Sequence, residues 1–102
     1  MTRIGWIDAT VGAAGDMLAA ALVGAGASYD VMAEAVAAVG VPVTTAITTV
    51  DAQGLAAWRW SVRTDETDPP RRTWADIRAR LDAADLDPAV RALAHDAFER
   101  LA

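Results

Sequence analysis

The sequence predicts a two-layer α+β domain, a small mixed sheet packed by helices, with elements in the order β-α-α-β-β-α-α. Three observations carry this. Val43 to Val62 holds two alternating runs, the first rich in β-branched residues, around Asp51-Ala52-Gln53-Gly54, the pattern of an antiparallel hairpin. Four stretches carry helix start signals or apolar stripes at helical spacing. Ile4-Gly5-Trp6-Ile7 is a short, mostly apolar run, which suits an interior strand.

Each element has its own local reason. The first strand ends at Asp8, and Thr10 to Gly15 forms a small-residue loop. Asp16 to Val23 is apolar nearly all round, hence a buried helix, with Gly24 and Gly26 to end it. Ser28 is a good N-cap for the second helix, with Asp30 in its first turn. Val31, Ala35, Val36 and Val39 give that helix its stripe, and Gly40 then Pro42 stop it. In the hairpin's second strand, Ala56, Trp58, Trp60 and Val62 share one face. Residues 64 to 72 mix acids, prolines and arginines, and read as a solvated loop that includes Arg71 and Arg72. Thr73 with Asp76 forms a capping box. Asp87-Pro88 opens the last helix, whose stripe is Val90, Leu93, Ala94, Ala97, Phe98 and Leu101. That stripe runs to the final residues without a stop signal. Residues 1–102 therefore read as one domain and as the N-terminal fragment of a longer protein.

Composition narrows the chemistry. The chain has 102 residues, a formal charge of −5 and a 54% hydrophobic fraction rich in alanine. Alanine buries little area, so the core must lean on Trp6, Trp58, Trp60, Trp74, Phe98 and the aliphatic positions. There is no lysine, and the nine cations are arginines spread along the chain. Nucleic acid is a poor partner for such a surface. With no cysteine, disulfides, thiolate zinc sites and a cysteine nucleophile are excluded. No membrane-spanning run and no signal peptide are visible, and a reducing cytoplasm is the expected setting.

The stretch richest in chemistry runs from Trp6 to Leu18. A strand ends in an acid, and a glycine-containing loop leads straight into a helix. Free N–H groups at a helix start hold anions, and glycines let a ligand approach the backbone. The pattern is neither a P-loop nor GxGxxG. Asp16 would repel a bare phosphate but suits Mg²⁺, which takes one or two carboxylates together with substrate phosphates. Two readings stand side by side. One is a divalent-metal or Mg-nucleotide site, with Asp8 and Asp16 as ligands and Gly12 and Gly15 facing the nucleotide. The other is structural: Asp16 complements the helix dipole and Asp8 caps the loop. His95, the sole histidine, reads as a solvated position beside Arg91 and Glu99, opposite the apolar stripe. The tryptophans read first as core, and second as a stacking face for a small molecule.

Asp8, followed by Gly12-Ala13-Ala14-Gly15-Asp16-Met17-Leu18 and Gly24-Ala25-Gly26-Ala27, resembles the start of the LarC nickel-insertion family. Val50 to Ala56, Arg72 to Ile77 and Ala97 to Ala102 are similar to later family segments, in order. The resemblance implies insertion of nickel into a pyridinium bisthiocarboxylate mononucleotide in a CTP-dependent step, with Mg or Mn. The full-length family is a nickel chelatase of the lyase class, and this fragment alone is expected to be inactive. The implied partners are the C-terminal part of the same protein and a nucleotide-type small molecule. A homo-oligomer is a further possibility, and a non-catalytic docking or oligomerisation module is the alternative role. Family members carry histidines before the Asp-Ile segment. Here the corresponding stretch, Asp68 to Thr73, has none.

Overall fold

The computed structural model describes residues 2–102 and confirms the α+β class. Its elements are α1 (Gly15–Gly24), α2 (Tyr29–Ala38), β1 (Val43–Ala52), β2 (Leu55–Thr64), α3 (Trp74–Ala83) and α4 (Pro88–Leu101). The leading strand is the exception. Residues 4–7 form no regular element and pair with no strand among the described residues, so the sheet is a two-stranded antiparallel ribbon rather than a mixed sheet. A strand exists only through its neighbour's hydrogen bonds, and the backbone of residues 4–7 makes none to other backbone among the described residues.

The hairpin closes on the two-residue loop Gln53-Gly54, both at positive φ (55° and 84°). That is the turn geometry whose twist matches the flanking strands. Asp51 locks it, its Oδ1 accepting from the Gly54 amide at 2.7 Å. The register sets Ile47 opposite Trp60, Thr45 opposite Val62 and Thr49 opposite Trp58. These pairs form the covered face. Thr44, Ala46, Thr48, Arg59, Ser61 and Arg63 form the wet one, as the alternation requires.

Helix α1 packs against β2. At its C-terminal end Gly24 comes so close to Trp58 that an added Cβ would lie 2.7 Å from Cδ1. Gly26, at φ 110°, ends the helix with the Ala27 amide donating back to the Leu22 carbonyl at 2.9 Å. Tyr29, on α2, meets Trp60 edge-on at 5.3 Å and donates its hydroxyl to the Thr45 carbonyl at 3.0 Å. Trp60 is thereby buried, the only tryptophan that is; Trp58 is half exposed and Trp6 stands 89% exposed. The expectation that Trp6 builds the core fails with the strand that carries it.

Helix α3 starts on the predicted capping box: Asp76 N donates to Thr73 Oγ1 at 3.2 Å, and Thr73 N to Asp76 Oδ2 at 3.1 Å. Helix α4 starts with Asp87 accepting from Ala89 N at 2.9 Å, with Pro88 in the first turn. The face that α4 turns to α3 is not the predicted stripe. Leu93 and Leu101 lie largely in solvent, while Arg91 and His95 pack inward with Ala94. The reason is hydrogen bonding at the end of α3. Arg91 donates Nε to the Leu81 carbonyl (3.2 Å) and Nη2 to those of Ala84 (2.8 Å) and Leu86 (3.4 Å). Carbonyls orphaned at a helix C-terminus need such partners, and a cation there also meets the dipole. Phe98 still reaches Trp74, ring centroids 6.2 Å apart and nearly parallel.

Two links tie this helical pair to the rest. Arg80 Nη1 donates to the Gly40 carbonyl at 3.0 Å. Arg72 pairs with Glu66, both largely buried, which corrects the reading of a fully solvated 64–72 loop. The loop thus brings one charge inward on either side of Pro69-Pro70, and the two neutralise each other. Among the described residues, no helix is long and apolar enough to cross a membrane.

Candidate functional site

The loop from Asp8 to Asp16 is built from two turns and a helix start. Asp8 Oδ1 accepts from the Thr10 amide at 3.1 Å and from the Thr10 hydroxyl, a side-chain-mimicked turn. These bonds, the hydroxyl's first, hold the Asp8 carboxyl below its ordinary 3.8. The chain then folds back, with Gly12 N donating to the Ala9 carbonyl at 2.9 Å. Gly12 sits at φ 90°, a conformation other residues rarely adopt.

Helix α1 begins at Gly15 with Ala14 as its N-cap, which supplies no side-chain acceptor. Asp16 turns its carboxylate onto the Met17 amide at 2.9 Å. The Gly15 and Asp16 amides have no protein acceptor among the described residues. An added Cβ at Gly15 would meet nothing within 4 Å, and its backbone is not left-handed. This chain's own fold therefore gives no steric reason for glycine there.

Asp8 and Asp16 each satisfy their own turn, and no bond within the chain bridges them. Among the described residues, no group of three or more His, Cys, Asp or Glu side chains is placed to hold a metal ion. What Asp16 does border is apolar. Gly15, Asp16 and Ala19 form one rim of an open cleft of about 410 Å³ over Trp60 and Val62. Met32, Ala35 and Val36 of α2 form the other rim. The glycine loop and the tryptophan face, read separately from the sequence, thus meet in one place. The 44 residues between Gly15 and Trp60 hid that, since nothing local says α1 lies over β2.

His95 is not solvated. Its Nε2 lies 2.9 Å from Asp82 Oδ1, and its ring meets Trp74 edge-on at 5.8 Å. That Nε2 is buried and makes no hydrogen bond, so it approaches Asp82 without the alignment of one. A second cleft of about 310 Å³ opens among Val36, Val39, Ile77, Leu81 and Phe98, and Arg72 and Arg80 also line it.

The comparisons with known proteins point one way. Residues 5–102 match the nickel insertion protein family, and the chain belongs to it. It is 51% identical over 98 residues to the pyridinium-3,5-bisthiocarboxylic acid mononucleotide nickel insertion protein of a Nocardioides species. That stretch is 95% of this chain and 25% of the relative. Putative nickel insertion proteins of Thermomicrobium roseum and Geotalea uraniireducens are 38% and 35% identical over 98% of this chain, and 25% and 26% of their own lengths. The chain thus spans about a quarter of the curated relatives it matches. No solved structure matches it.

Proposed function

We propose that this chain is the N-terminal domain of a cytoplasmic protein that loads nickel into a pyridinium bisthiocarboxylate mononucleotide, in a CTP-dependent step with Mg or Mn. The observation that carries the reading is the 51% identity, across nearly the whole chain, to a relative of that name. Nickel is cargo here, and the nucleotide is its acceptor. In this reading the 8–16 loop handles the nucleotide. The Gly15 and Asp16 amides face its phosphate, while the apolar cleft over Trp60 and Val62 takes its ring. Asp8 and Asp16 draw in the divalent ion that offsets the phosphate charge. Further ligands come from the rest of the protein, because two carboxylates with waters hold Mg²⁺ only weakly.

The test is calorimetric titration with Ni²⁺ and with Mg-CTP, comparing the natural chain, Asp8→Asn/Asp16→Asn and Gly15→Ala. Weakened binding in both variants is expected. Gly15→Ala has room for its methyl and should keep or slightly raise stability, by about 0.4–1 kcal/mol. Identical isotherms for all three proteins would remove the loop from the chemistry. The second reading, a non-catalytic docking module, would then stand, favoured by the large apolar surface this chain leaves open.

A further inference from the structure

The segment that leads into the loop is both apolar and unpaired. Ile4 and Val11 are more than nine-tenths exposed, and Ile7 is two-thirds exposed. The backbone of residues 2–8 makes no hydrogen bond to backbone elsewhere among the described residues. In a strand, Ile4 and Trp6 face one side and Ile7 the other. Apolar side chains on both sides belong to a strand inside a sheet, covered above and below. On α1, Met17 and Leu22 are also each more than half exposed.

The whole chain bears the same mark. Its accessible surface is 8113 Å², against about 5,500 Å² for a compact protein of its mass. Its radius of gyration is 15.1 Å, against about 12.8 Å for a compact chain of this length. The surplus surface is the size of one side of an obligate interface, roughly 1,000–2,500 Å².

We propose that residues 4–11 are an interior strand and turn of a sheet completed by the part of the full-length protein outside this quarter. The relatives supply that occupant, since about three quarters of each lies beyond the matched stretch. A second copy of this chain is a weaker fit. Two four-residue strands paired only with each other make an isolated ribbon, marginal in water, and leave one face of each uncovered. The proposal rests on family membership and on the relatives' length. A loop that binds neither nickel nor nucleotide leaves it standing.

Hydrogen exchange decides it, measured on the 102-residue chain and on the full-length Nocardioides relative over the segment corresponding to residues 4–11. The expected result is free exchange of amides 4–7 in the short chain, and exchange slowed by about tenfold or more in the full-length protein. Free exchange in both overturns the proposal. Protection in the short chain that grows with its concentration overturns it in favour of a second copy. Trp6→Asp should leave the short chain's melting temperature unchanged, and a clear fall would show that Trp6 packs within the chain.

Discussion

Replacing Gly24 with alanine pits helix propensity against a collision. Alanine in a helix interior is favoured over glycine by about 1 kcal/mol, somewhat less at the last turn where Gly24 sits. Against this, the new methyl would lie 2.7 Å from Trp58 Cδ1 and 3.3 Å from Nε1. Those atoms belong to the near side of a rigid ring, so the indole or the helix must shift, at about 1–3 kcal/mol. The collision wins, and Gly24→Ala should destabilise by about 1 kcal/mol, lowering the melting temperature by roughly 4–8 °C for a domain of this size. Trp58→Val removes the ring and keeps a strand former. In that background Gly24→Ala should turn neutral or stabilising, a coupling of about 1–3 kcal/mol in the double-mutant cycle. Thermal and urea unfolding of the four proteins give the answer. If Gly24→Ala stabilises the natural chain, or destabilises both backgrounds equally, α1 does not pack on β2 through this contact.

Three further outcomes follow from the same structure. Thr73→Ala, which removes the capping hydroxyl of α3, should cost about 1 kcal/mol in urea unfolding. The Thr73 amide and then its hydroxyl hold Asp76 below its ordinary 3.8. A depressed folded value means a contribution present above 3.8 and lost as pH falls below it, so Thr73→Ala should flatten the acid limb of the stability–pH curve. Arg91→Ala should destabilise by about 1.5–3 kcal/mol, because it strips the carbonyls of Leu81, Ala84 and Leu86 of a charged donor. Arg91→Lys should recover only part of this loss, since an ammonium cannot reproduce the guanidinium fork. Thr10→Ala should raise the Asp8 pKa toward 3.8, read by NMR titration of the carboxyl carbon.

The sequence made local decisions legible and long-range ones obscure. Ser28, the Thr73–Asp76 box, Asp87-Pro88, Gly40 and the 51–54 turn act over two to four residues, and each appears where its chemistry requires. The strand at 4–7 was legible as a run but not as a pair, because pairing depends on a neighbour whose location the run does not encode. The α4 stripe misled for a related reason. Periodicity identifies an apolar face, whereas the helix was oriented by three carbonyls at and just past the end of α3 to which Arg91 donates. At the functional loop, the glycines and acids were visible as residue types. Their meeting with Trp60 across α1 and β2 was not.

The α3–α4 pair is held to the remainder by the Arg80–Gly40 bond, the Arg72–Glu66 ion pair and the thinly filled cleft between them. Such a joint separates more cheaply than either half melts. The two helices therefore form a cooperative unit of their own, opening as a leaf while the hairpin, α1 and α2 stay closed. The ion pair is largely buried, where salt screens it little, so ionic strength should leave the frequency of opening nearly unchanged.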